Sequence, residues 1–205
     1  MLLSRSVLVT AVLLGMAATD SSALDTVGRD QGWTLGLGFG MGRAEVSYLG
    51  GVVEEDFREG VSTEWRLGKM LNRKLALTFD YQGWLIEDGN LGVRLRQGLQ
   101  SWGLGLTWYP GNPENAWGGM FVRVGGGWAL ANLAATTLDE DLHEVEEERI
   151  DEWGVAASGT IGYEFFVTNT VAMGPTLNFA YLWIDEELAD EGRWLTFSLL
   201  GSWYF

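Results

Sequence analysis

The 205-residue chain has no cysteine, so neither a disulfide framework nor a thiolate metal site is open to it. It has two lysines, Lys69 and Lys74, and one histidine, His143. The formal net charge is -15. Nucleic acid is excluded as a partner, because neutralising phosphate takes clustered Lys and Arg. No apolar run reaches the roughly 20 residues of a membrane-spanning helix. The longest, Val7 to Ala18, follows Arg5 and precedes Ser21-Ser22-Ala23. That order is a secretory signal peptide, cut after Ala23 or, alternatively, after Ala18. The expected organisation is a signal over 1–23 and one domain over 24–205. An exported chain with no spanning helix can enter a membrane only as strands.

What the chain has instead is glycine, 29 residues, and tryptophan, 11. They fall in segments of period two, the mark of a strand with one apolar face. Trp33, Leu35, Leu37, Phe39 and Met41 alternate with Thr34, Gly36, Gly38, Gly40 and Gly42. A solvated strand would not gather four glycines on one face. A crowded barrel interior would, to make room for large side chains opposite. Val61, Thr63, Trp65 and Leu67 mark a second strand over 59–70, and Leu75, Leu77, Phe79 and Tyr81 a third. A fourth spans 93–109, a fifth 117–130, a sixth 152–167 and a seventh runs from Val171 to Trp183. Pro175 lies inside the seventh and removes a ladder hydrogen bond, which requires a bulge there. The eighth sets Leu195, Phe197, Leu199, Trp203 and the final Phe205 against Thr196, Ser198, Leu200, Ser202 and Tyr204.

Eight is an even number, and the connections alternate in length. Short ones fall at 71–73, 110–115 and 168–169; long ones span 43–58, 85–92, 131–151 and 184–192. Short turns on the periplasmic side and long loops outside are the pattern of outer-membrane barrels. The apolar face carries more aromatic rings than a small barrel could enclose, so it should face lipid. The small and polar face then lines the lumen. Trp33, Trp108, Trp117 and Trp203 fall at the periplasmic ends of strands, and Trp84, Trp128, Trp153, Trp183 and Trp194 at the outer ends. Two aromatic girdles are thereby expected.

The expected fold is all-β, an eight-stranded antiparallel up-and-down transmembrane barrel. The chain resembles the small eight-stranded outer-membrane barrels typified by the membrane domain of OmpA, by OmpX and by OmpW. The resemblance rests on strand pattern, girdles and the C-terminal strand ending in Phe205. It implies a location in the Gram-negative outer membrane, with Phe205 read by the barrel-assembly machinery. It brings no catalytic or ligand motif.

Three groups of residues could carry chemistry. Glu64, Arg66, Asp80, Gln82, Arg123, Glu164 and Asn178 fall on the lumen face, with Arg66 and Asp80 within reach of each other on hairpin neighbours. Such charges must be paired if buried. Asp139, Asp141, Glu144 and Glu147 crowd the longest loop around His143. The loop lacks both the zinc spacing and the EF-hand pattern, so a weak Ca²⁺ or Mg²⁺ site is the most it offers. Leu138, Leu142 and Val145 there have the spacing of a short amphipathic turn. Arg43, Arg193, Arg94 and Arg96 share the lipid-facing parity at the outer rim, where guanidinium groups suit lipopolysaccharide phosphates. No cofactor is implied beyond that cation. The primary expectation is a non-enzymatic monomer supporting membrane integrity and surface interaction through acidic outer loops. The alternatives are a small hydrophobic-solute channel of the OmpW type and a lipid A-modifying enzyme.

Overall fold

Alternation becomes strand pairing in the computed structural model, which describes residues 29, 32–48, 53–54, 58–90, 93–111, 116–138, 144–184 and 189–205. Eight long strands follow one another: β1 (Trp33–Tyr48), β2 (Arg58–Asn72), β3 (Leu75–Asn90), β4 (Val93–Trp108), β5 (Met120–Leu138), β6 (Glu144–Tyr163), β7 (Val171–Ile184) and β8 (Ala189–Tyr204). Each pairs antiparallel with its chain neighbours, and β8 pairs with β1, so the sheet closes. Closure leaves no unpaired edge, which a bilayer would not tolerate. The last residue takes part: Phe205 and Trp33 exchange backbone hydrogen bonds across the seam. Two short pieces accompany the eight. Val53–Glu54 pairs with the end of β1, and Phe165–Phe166 continues β6 along β7.

The register sets the dimensions. Leu37 opposes Trp65, and successive partners run through Tyr81, Trp102, Trp128, Val155, Trp183 and Glu191 back to Ser47 on β1. The circuit returns ten residues beyond its start, 47 against 37. With strands about 4.8 Å apart and about 3.3 Å per residue, that stagger gives a tilt of roughly 40° and a radius of about 8 Å. On β8 the lipid-facing set runs from Arg193 to Trp203. At that tilt those ten steps span roughly 25 Å, the height of an outer-membrane apolar band.

Exposure is inverted relative to a water-soluble sheet. Phe39, Met41 and Leu104 are 70%, 68% and 63% exposed, whereas Thr34, Ser62, Thr107 and Ser202 on the opposite face are buried. The glycines of β1 serve the inner face. A Cβ on Gly36 would lie 2.8 Å from Arg66 Cγ, and one on Gly38 would lie 2.6 Å from Glu64 Cγ. Gly38→Val should therefore displace Glu64 from its partners and cost about 1–3 kcal/mol, seen as a lower urea midpoint.

Several expectations need correction. No bulge forms at Pro175. Its pairing with Leu199 on β8 is in continuous register. On the other side the ladder pauses after Gly162↔Thr176 and resumes unshifted at Phe165↔Met173. The missing N–H is absorbed by that pause, and Glu164 N donates instead to Gly119 O at 2.8 Å. Trp117 does not start a strand; it lies in a 3₁₀ turn, Ala116–Gly119. The stretch 131–151 is less a loop than a hairpin, with Leu138 paired to Glu144. Leu138 and Val145 are therefore in strands rather than a helical turn, and Leu142 lies outside the described residues. Trp84 and Trp194 do not join the outer girdle. Both point into the lumen, 2% and 1% exposed, because they share parity with Gln82 and Thr196. The proposed signal peptide also lies outside the described residues.

Candidate functional site

The inner surface is one continuous filling in three layers. At the short-turn end, Met70, Ala76, Tyr109, Phe121, Ala172, Leu200 and Tyr204 pack together with Phe166. Among them sits Glu164, buried in the pause of the β6 ladder. Its carboxylate accepts from Arg66, Tyr204 and Ser202, the last at 2.7 Å, and from Arg29 at 3.2 Å. Tyr109 donates to it at 3.3 Å and lies 3.1 Å from the Tyr204 hydroxyl. Arg66 also donates to Ser202 at 2.8 Å.

The middle layer is built around Arg123. It donates to Asp80 at 3.1 Å, to Glu64 at 3.1 Å and to Thr160 at 3.0 Å. Glu64 in turn accepts from Thr176 at 2.7 Å and Asn178 at 3.3 Å. Asp80 accepts from Thr78 at 2.6 Å, and Gln82 donates to Thr160 at 3.4 Å. All of the proposed lumen residues thus meet, but not in the expected pairs. Arg66 and Asp80 are opposite in register. Arg66 nevertheless reaches across the lumen to Glu164, and Asp80 to Arg123. The reason is stoichiometric: a barrel this narrow lets every strand face every other, so charges satisfy each other across the axis instead of along one hairpin. The two layers hold three arginines (29, 66 and 123) and three carboxylates (64, 80 and 164). Balance of that kind is what burial in a low dielectric demands.

The third layer, toward the long hairpins, is mainly apolar, with Glu152 and Gln97 also buried on its inner face. Ala44, Val46, Leu99, Ala129, Ala156, Ala180, Leu182 and Ile184 surround Trp84 and Trp194. Trp84 donates to the Gly42 carbonyl at 3.3 Å. A cavity of about 10 Å³ beside Asp80, Gln82, Ser101 and Ser158 has room for a single water. Arg29, Tyr109, Tyr204 and the two inward tryptophans are not singled out by sequence reasoning. For all but Arg29, parity alone places them inside.

The rim arginines all hold carboxylates. Arg43 pairs with Glu59 at 2.8 Å, Arg193 with Glu45 at 2.8 Å, and Arg94 and Arg96 with Glu87 at 3.1 and 3.3 Å. Arg43 and Arg193 lie on adjoining strands, Arg43 opposite Leu195 and Arg193 opposite Glu45. Tyr181 packs against Trp183 in a tilted arrangement, with centroids 4.7 Å apart, and donates to Glu191. The rim is thus a band of alternating charge beside aromatic rings. Asp139, Asp141 and His143 lie outside the described residues, and only the backbone of Glu144 and Glu147 is described, in β6. Among the described residues no cluster of three or more His, Asp or Glu could hold a metal ion.

No family model and no curated protein matches the sequence. Solved structures do match. Neisserial surface protein A (NspA) aligns with a TM-score of 0.56 at 12% identity, covering 84% of this chain and 97% of that one. The attachment invasion locus protein Ail of Yersinia pestis aligns at 0.54 and 9% identity, covering 86% and 99%. Ail in complex with the heparin analogue sucrose octasulfate aligns at 0.54 and 10%, covering 85% and 99%. The chain has the fold of the small eight-stranded outer-membrane barrels. Identities this low carry the fold and nothing finer. What distinguishes this barrel is its own lumen and rim.

Proposed function

We propose that the barrel is a non-enzymatic, monomeric protein of the Gram-negative outer membrane, serving membrane integrity and surface interaction through its acidic outer hairpins. The observation that carries this reading is the filled lumen: ionic, hydrogen-bonded and apolar layers occupy successive levels of an interior only just wide enough for side chains. The surface that remains for function is the wall and its outer end. Planar-bilayer recording tests this against the solute-channel alternative. The expected result is no conductance above the lipid baseline, together with increased detergent sensitivity of a strain lacking the protein. Steady single-channel conductance would favour the channel.

The outer partners follow from rim chemistry. Lipopolysaccharide is anionic, and so is this end of the chain. The contact we propose is mixed, with Arg43, Arg193, Arg94 and Arg96 on phosphates and divalent cations bridging phosphates to carboxylates, a weak site at Asp139, Asp141, Glu144 and Glu147 included. Ail has been crystallised with a sulfated sugar; the acidity here favours cationic or cation-bridged ligands instead. Replacing Arg43 and Arg193 together by Ala should weaken lipopolysaccharide binding about tenfold at low salt, with less effect at high salt. Unchanged affinity, and thermal stability indifferent to a chelator, would remove this contact. Phe205, exposed on the outer wall at the seam, is the element we expect the barrel-assembly machinery to engage.

A further inference from the structure

We infer that the short-turn mouth of the barrel is a guanidinium-binding site, filled here by the chain's own Arg29. Arg29 belongs to none of the strands; it precedes β1 and yet is 1% exposed inside the mouth. Its guanidinium carbon lies 3.9 Å from the centroid of the Tyr109 ring, 5.2 Å from Phe166 and 6.0 Å from Tyr204. Its nitrogens donate to the Gly118 carbonyl at 2.6 Å and to Glu164 at 3.2 Å. Three aromatic faces, a carboxylate and a carbonyl around one planar cation form a receptor for guanidinium. The rings reward a flat, weakly hydrated cation over a compact ammonium.

The walls do not depend on their occupant. Tyr109, Glu164 and Tyr204 are each fixed by a backbone hydrogen bond within the barrel: to Lys74 O, to Gly119 O and to Thr170 O, all at 2.8 Å. Glu164 keeps a second cation, Arg66, which β2 carries into the lumen. Removing the Arg29 side chain therefore leaves a closed barrel with its carboxylate still paired and its aromatic cage open. The relation of Arg29 to the barrel is that of a ligand to a preformed site. The ligand class is a monoalkylguanidinium, arginine side chains of other peptides included.

The test uses full-length Arg29→Ala refolded in detergent, with heat-dependent gel mobility confirming a closed barrel. The probes are ethylguanidinium and ethylammonium at millimolar, non-denaturing concentration. The expected result is saturable binding of ethylguanidinium to Arg29→Ala, at least about tenfold tighter than ethylammonium, with none to the wild type. Adding Glu164→Gln should abolish it. A closed Arg29→Ala barrel that ignores ethylguanidinium, or a wild type that binds it equally, would overturn the proposal. If Arg29→Ala fails to close, Arg29→Lys serves: displacement of its ammonium by ethylguanidinium is expected, and no displacement would overturn the proposal equally.

Discussion

Replacing Glu164 by Ala should destabilise the barrel by about 3–5 kcal/mol, the cost of stripping buried cations of their partner. Glu164 is the acceptor that Arg66, Arg29, Ser202, Tyr204 and Tyr109 share. Without it, two guanidinium groups and three hydroxyls face one another at the bottom of a narrow lumen. The neutral Glu164→Gln change keeps shape and some acceptors, so it should cost less than Glu164→Ala. The compensating test is Glu164→Ala with Arg66→Met. Removing one buried cation along with its partner should recover part of the loss, because an apolar pair is tolerated where a lone charge is not. Urea midpoints of reversible folding into detergent or thin lipid vesicles would report all three. A loss under about 1 kcal/mol for Glu164→Ala would mean that water already solvates the site.

Trp84→Ala should cost about 3–5 kcal/mol, whereas Trp128→Ala should stay within about 1 kcal/mol. The two residues look equivalent in the sequence, each being a tryptophan at the outer end of a strand. They differ in what surrounds them. Trp84 is enclosed by the apolar layer and hydrogen-bonded to Gly42, and removing it leaves a cavity among side chains that cannot collapse. Trp128 is 59% exposed on the outer wall, where lipid refills the space. The same urea titration distinguishes them. Equal costs would place both rings in comparable surroundings and contradict the layered lumen.

That pair also shows what could be read from the chain. Strand existence was legible because side chains alternate faces, and neither the glycines of β1 nor the terminal strand breaks the alternation. Which face met lipid was legible too, since Phe, Leu and Trp crowd one parity and Gly, Ser and Thr the other. For Trp84 and Trp194 residue type points to the outer girdle, whereas parity places them inside. Strand ends were shorter in the sequence than in the fold. Above the membrane both faces turn polar, and the period disappears while the ladder continues, as at Thr136↔Glu147. The lumen residues were legible as a set but not as pairs. Arg66–Glu164 and Arg123–Asp80 join positions 98 and 43 residues apart, beyond any hairpin rule. Arg29 was illegible: it lies in a polar stretch without period, and only the assembled mouth gives it partners.

The central claim is a closed barrel whose apolar face meets lipid. The most direct measurement is electrophoresis of the outer-membrane fraction, with and without boiling. A closed barrel resists detergent until heated, so the account predicts that the protein is recovered in that fraction and migrates at two different positions. A single position in both samples, with the protein found in the soluble periplasmic fraction, would contradict it and turn the barrel's faces around.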